Sequence, residues 1–201
     1  MALSDSCLER LWQCRYAAHG VKPEDEVHWK RALLALRKEK DEFYQTGHNS
    51  PLPEVGRQGF RGLKYFEPNP IFRFETKLHR YQDPEGVMMT TSKGTRQLFN
   101  KVGYFELTVD GQALRLHAYQ SAERDDPSIF VPFRDGTSGK ESYGAARYLD
   151  LKVEHDDDYA VDFNYAYNPY CAYNERYVCP LPPTENWLRV AIPAGEKGYS
   201  D

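Results

Sequence analysis

Two segments late in the chain carry acids set among apolar residues, Arg147-Tyr148-Leu149-Asp150-Leu151-Lys152-Val153 and Tyr159-Ala160-Val161-Asp162-Phe163-Asn164. Paired as a hairpin, the register that faces Leu151 with Val161 and Leu149 with Phe163 sets Asp150 opposite Asp162 and Tyr148 opposite Asn164. Facing carboxylates repel unless a cation, a shared proton or solvent offsets them. Three chemistries fit. One is a screened pair on a wet sheet face. Another is a polar pocket in which a nearby cation, Arg134, Lys140 or Arg147, neutralises one carboxylate and the set recognises a small ligand. The third is acid/base or metal chemistry on a proton or divalent cation shared by the pair, with Glu141 as a further acid/base candidate.

More than half of the 15 tyrosines fall between positions 136 and 180. Residues 164–174, rich in Tyr and Asn, cannot run as a regular strand through Pro169, so the segment must wrap over something. Tyrosine suits walls that are half apolar and half polar. Cys171 and Cys179 on this loop could bridge, ligate a metal or pack; without a CxxC or nearby His, packing is favoured.

Other motifs fail on spacing. Thr137-Ser138-Gly139-Lys140-Glu141 resembles the end of a phosphate-binding loop, but Arg134 stands where that motif needs Gly and Glu141 where it needs Ser or Thr. Gly136-Thr137-Ser138-Gly139 is one residue short of a nucleophile elbow. His155-Asp156-Asp157-Asp158 reads as a solvated turn rather than a calcium loop. His117 has no second His at ligand spacing and reads as a cross-strand packing residue.

The elements that must position these residues are mostly strands. A capping box at Ser6 and a stop at Gly20 bracket a short helix, and Pro23 begins a second whose Trp29, Leu33, Leu36 and Phe43 recur at helical spacing to about position 45, a packing stripe. Residues 49–70 read as loop with a brief strand at 62–66. From Phe72 the period becomes two, with Phe72, Phe74, Thr76 and Leu78 on the dry face. A two-residue turn at Lys93-Gly94 would pair Met89 with Leu98. The Asp110-Gly111 turn sets Leu107 opposite Leu114, Phe105 opposite Leu116, Glu106 opposite Arg115 and Tyr104 opposite His117, and both faces agree chemically. Further strands are expected over 128–133, 147–153, 159–164 and 188–192. Short strands in hairpin succession after one or two N-terminal helices predict an all-β domain, an antiparallel barrel or strongly curved sheet, with a sandwich as runner-up. Residues 1–22 form an extension and 23–201 a single domain.

Composition narrows the partners. Among 201 residues, 26 Lys and Arg face 30 Asp and Glu, a net charge of -4, which gives no electrostatic footprint for nucleic acid. No segment looks like a secretory leader or a membrane span, so a soluble cytoplasmic protein with reduced thiols is expected. A mean hydropathy of -0.75 beside 15 tyrosines points to a modest core and one polar-aromatic site.

Residues 133–150, Asp162-Phe163-Asn164, Tyr167 through Asn174 and Cys179-Pro180-Leu181-Pro182-Pro183-Thr184-Glu185-Asn186 resemble domain-of-unknown-function family 1684. The resemblance extends from the Trp29 helix through 50–52 and 62–66 to 194–197. It implies a soluble protein of bacterial or archaeal type and carries no activity with it. Gly136 stands where Ala is usual in the family, Ala146 where Gly is usual and Tyr165 where Arg is common; if that Arg holds an anion in relatives, Arg134 or Arg147 must replace it here.

The reading that follows is recognition of a small polar, preferentially anionic, ligand by Arg134, Asp135, Thr137, Lys140, Tyr143, Arg147, Tyr148, Asp150, Asp162, Asn164, Asn168 and Tyr173, with no metal site and no cofactor identified. A hydrolase using Asp150, Asp162 or Glu141, and a homodimer formed through the tyrosine loop, are the rival readings.

Overall fold

A computed structural model describes residues 26–123 and 128–199; the extension 1–22 and the helix expected over 6–20 lie outside the described residues. Helix α1 (Glu26–Thr46) occupies the span that the Trp29 stripe predicts. Trp29 and Leu33 are buried and Leu36 and Phe43 half-buried, so the stripe is packing surface. A one-turn helix, α2 (Glu54–Arg57), interrupts the following loop.

Six strands follow: β1 (Arg73–Thr90), β2 (Arg96–Val109), β3 (Gln112–Ser121), β4 (Ile129–Phe133), β5 (Arg147–Leu151) and β6 (Asp158–Asp162). They form one antiparallel sheet in the order β5-β4-β3-β2-β1-β6, curled into a half-barrel. The β2–β3 hairpin has the expected register at all four pairs, and Glu106 meets Arg115 at 3.3 Å. Asp110 (φ 50) and Gly111 (φ 73) both take positive φ, the backbone of a type I′ turn, whose twist matches that of the strands. The core fills the concave side with alternating residues, among them Leu78, Phe105, Leu116, Val131, Leu149 and Val161.

Three expectations are corrected. The β1–β2 register is shifted by one, pairing Met88 with Leu98 and Met89 with Gln97. The Thr91 amide donates to the Thr95 carbonyl, so the loop has three residues, Ser92-Lys93-Gly94, with Gly94 at φ 76 supplying the left-handed position. Residues 73–79 and 88–90 are parts of one long strand, β1, with a register shift between Arg80 and Glu85. The β5–β6 hairpin does not form: β5 pairs with β4, so that Asp150 faces Phe130, and β6 pairs with β1, so that Asp162 faces Arg73. Each of these strands finds a full ladder on a more distant partner, which satisfies backbone edges of β4 and β1 that a local hairpin would leave open.

The half-barrel therefore has a seam between consecutive strands. The chain after β6 returns to β5, where the backbones of Tyr148 and Tyr167 exchange two hydrogen bonds. Residues 188–192 make no regular strand; this segment lies extended along 134–136, through Leu188 N to Arg134 O and Gly136 N to Val190 O. The brief strand near 62–66 is a single bridge between Tyr65 and Glu196.

Gly195 is required beside that bridge. Its φ is +78, and a Cβ there would lie 2.5 Å from the Ala166 carbonyl oxygen and 2.7 Å from that of Phe163. Gly94 has a similar φ but open space around it. Gly94→Ala should cost about 1 kcal/mol of left-handed strain, and Gly195→Ala at least about 3 kcal/mol, measured by urea unfolding.

Candidate functional site

Leu33, Arg37, Lys40 and Tyr44 repeat at helical spacing along one face of α1. That face lies across the β5–β6 seam, so two cations enter a region that would otherwise be core. Arg37 is 8% exposed; its Nη1 donates to the Phe66 carbonyl at 2.9 Å and its Nη2 to the Asn164 carbonyl at 3.3 Å. The guanidinium carbon sits 4.4 Å from the centre of the Tyr65 ring. Burial lowers the pKa of Arg37, countered mainly by Tyr65 and Glu196.

Lys40 pairs with Glu196, which is 1% exposed and also accepts from the Tyr173 hydroxyl at 2.6 Å and the Asn168 amide at 2.8 Å. The Lys40 ammonium lies 5.0 Å from the centre of the Tyr167 ring and 5.4 Å from that of Tyr44. At the other end of the helix Trp29 donates its indole N–H to Asp162 at 2.7 Å, and the Asn164 backbone and side-chain amides donate to the same carboxylate at 2.9 and 2.8 Å. Burial raises the Asp162 pKa against these donors. Across the seam the Tyr167 hydroxyl donates to Asp150.

Between helix and seam lies a cavity of about 90 Å³. Its walls are largely apolar and aromatic, including Leu33, Leu36, Tyr44, Leu149, Leu151 and Tyr170, while Arg37, Lys40, Tyr65, Asp150, Asp162 and Glu196 bring polar atoms to it. Asp150, Asp162 and Glu196 all accept hydrogen bonds from neighbours in the protein. Three donors on the cavity are left over: Arg37 Nε and the hydroxyls of Tyr44 and Tyr65 are buried without a hydrogen-bond partner among the described residues.

Of the residues singled out from the sequence, Asp150, Asp162 and Asn164 line this cavity. Asn168 and Tyr173 stand behind it, holding Glu196. Asp135, Thr137 and Arg147 form a separate buried knot. Arg147 is fully buried, bonds to Asp135 at 3.1 Å and donates to the Ile192 carbonyl at 2.9 Å and to that of Ala194, while Thr137 donates to Asp135 at 3.0 Å. Burial lowers the Arg147 pKa and the Asp135 charge opposes it. This knot fixes the 192–196 segment rather than facing the cavity. Arg134 stacks on Trp187 at 4.7 Å, Lys140 and Glu141 are exposed, Tyr143 lies beside Cys171, and the Tyr148 hydroxyl donates to the Pro180 carbonyl.

The residues that sequence reasoning passed over are Arg37, Lys40, Tyr65, Tyr167 and Glu196. Position on the helical wheel carried a signal for two of them, because Arg37 and Lys40 fall within the stripe that runs from Leu33 to Tyr44. Among the described residues no group of three or more His, Cys, Asp or Glu side chains could hold a metal ion, and no helix is long and apolar enough to cross a membrane.

Removing one partner of a buried ion pair strands the other charge. Lys40→Met should cost about 3 kcal/mol in urea unfolding, and adding Glu196→Gln should recover part of that loss. The raised pKa of Asp162 means that the native state holds this proton more tightly than the unfolded chain, so its stabilising contribution is complete below the ordinary Asp range and is lost as pH rises through the native value. The unfolding free energy of the wild type minus that of Asp162→Asn should fall as pH rises above the ordinary Asp value of about 4.

Residues 58–197 match the model of a family described as "Protein of unknown function (DUF1684)". An uncharacterised protein of Haloarcula marismortui, solved by solution NMR, is 39% identical, with a TM-score of 0.68 over 88% of this chain and 97% of its own. No curated protein matches. With this sequence match over most of the chain, and a relative of the same half-barrel architecture, the protein belongs to the DUF1684 family.

Proposed function

We propose that the protein binds a small organic molecule with an apolar body and one hydrogen-bond-accepting, preferentially anionic, group in the cavity between α1 and the seam. The observation that carries this reading is the set of unpartnered donors, Arg37 Nε and the hydroxyls of Tyr44 and Tyr65, on a cavity whose walls are largely apolar and aromatic. A buried donor left unpaired costs about 1–3 kcal/mol, and a ligand oxygen that accepts from Arg37 and Tyr65 removes that cost for these two. The guanidinium favours a carboxylate over a neutral carbonyl, and the nearby protein carboxylates are already engaged.

The ligand class is the one the sequence suggests, but the residues are different: Arg37, Lys40 and Tyr65 take the place of Arg134, Lys140 and Arg147. No observation favours hydrolysis by a carboxylate pair, since Asp150 is engaged by Tyr167 and Asp162 by Trp29 and Asn164. Nor does one favour dimerisation through the tyrosine loop, whose Tyr170 and Tyr173 turn inward onto Tyr44, with ring centroids 6.5 and 5.0 Å away.

A thermal-shift panel of monocarboxylates from acetate to benzoate, each beside its neutral amide, tests the reading. Carboxylates with an apolar body should raise the melting temperature, and Tyr65→Phe should weaken binding about tenfold while leaving the unliganded protein at least as stable. Equal response to acid and amide would remove the anionic preference; no response across the panel would overturn the reading.

A further inference from the structure

A second cluster lies outside the cavity, where the tyrosine loop meets the tip of the β1–β2 hairpin. Cys171 belongs to a 3-10 turn, Tyr170–Ala172, and is half-buried; Cys179 is 7% exposed. Both thiols are free. The backbone N–H of Cys171 points at the Cys179 sulfur at 3.3 Å. With an N–Cα bond of about 1.46 Å, that sulfur lies within about 5 Å of the Cys171 Cα, inside the reach of a disulfide.

Cys179 is held there from both sides. Its N–H donates to Ser92 Oγ at 3.1 Å, its carbonyl accepts from the Ser92 N–H at 2.8 Å, and Pro180 bridges to Thr91. The Tyr143 hydroxyl lies 3.9 Å from the Cys171 sulfur. Hydrogen bonds from the Cys179 thiol, Ser92 and Tyr143 bring the Cys171 pKa down to about 6, whereas the Cys179 thiol, donating to its neighbour, is pushed up. Tyr143, raised by burial to about 12, stays protonated and remains a donor. The hydrogen bonds thus favour thiolate character on the more exposed cysteine and the thiol on the buried one, an asymmetry that simple packing does not require.

We propose that Cys171 and Cys179 form a redox-active dithiol, in which a hydroperoxide oxidises Cys171 and Cys179 resolves it to an intramolecular disulfide. In the first step the Cys171 thiolate attacks the peroxide. An S–O bond forms, the O–O bond breaks, the released oxygen takes up a proton as alcohol or water, and the sulfur is oxidised to a sulfenic acid. In the second step the Cys179 sulfur attacks the Cys171 sulfur. The S–S bond forms, the S–O bond breaks, and hydroxide leaves with the Cys179 proton as water. Two thiols and one peroxide give one disulfide, one alcohol and one water. The site is independent of the cavity and of the ligand proposed for it.

The test uses the full chain with Cys7→Ser and Cys14→Ser, so that Cys171 and Cys179 are its only thiols. Hydrogen peroxide at near-equimolar amounts should lower the intact mass by about 2 Da and block both thiols to iodoacetamide, and dithiothreitol should reverse both effects. In the same background, Cys179→Ser should stop at a sulfenic acid on Cys171 that dimedone captures. Alkylation of Cys171 by iodoacetamide should rise with a midpoint near pH 6, and Tyr143→Phe should move that midpoint upward. The proposal is overturned if both thiols remain alkylatable after peroxide, if oxidation adds oxygen without the loss of mass, or if dimedone marks no Cys171.

Discussion

An antiparallel sheet that curls without closing leaves two edges with unpaired backbone groups and an apolar interior open along one side. Here those edges are consecutive strands, β5 and β6, and everything else in the molecule is arranged around the gap between them. The chain leaving β6 reaches back to β5 at a single bridge, and α1 lies over what remains open. A helix cannot continue a β ladder, so it closes the gap with side chains. Indole, guanidinium and ammonium groups on α1 reach carboxylates and carbonyls that a strand would have met with its backbone.

That substitution explains why a chain with so hydrophilic a composition buries so many charges. Asp162, Glu196, Arg37 and Arg147 are all at least nine-tenths buried, and each has specific partners. The Asp135–Arg147 knot and the Lys40–Glu196 pair share one segment, 192–196, which the first fixes through its carbonyls and the second through a side chain. Gly195 lets that segment turn tightly against the carbonyls of Phe163 and Ala166. The polar interior is one connected scaffold, and three of the donors it leaves unpaired, Arg37 Nε and the hydroxyls of Tyr44 and Tyr65, sit where the helix and seam do not quite meet.

Local chemistry was legible in the sequence wherever it is decisive. Asp110-Gly111 specifies one turn, and the register of a whole hairpin followed from it. Lys93-Gly94 is ambiguous between a two- and a three-residue loop, and the register came out one residue away. Pairings over longer distance were not legible: the alternation in 147–153 and 159–164 fits a hairpin as well as it fits two separate ladders, and only the free edges of β1 and β4 decide between them. The candidate site was half legible. Asp150, Asp162 and Asn164 were found because acids and amides among apolar strand residues are conspicuous, though they meet across a cavity rather than across a ladder. Arg37 and Lys40 were hidden by the exposure normally expected of cations, and Glu196 by a loop whose position depends on Arg147 and Gly195.

The wall formed by α1 differs in kind from the others. Strand walls are knit into the sheet by backbone ladders, whereas α1 is held by side chains alone, the buried Trp29, Leu33 and Tyr44 together with the polar tethers of Trp29, Arg37 and Lys40. Access to the cavity and integrity of the half-barrel are then governed by different free energies. Backbone amide protons of α1 would exchange with solvent at an opening energy well below that of β2 and β3, and occupancy of the cavity would narrow the gap by holding the helix down.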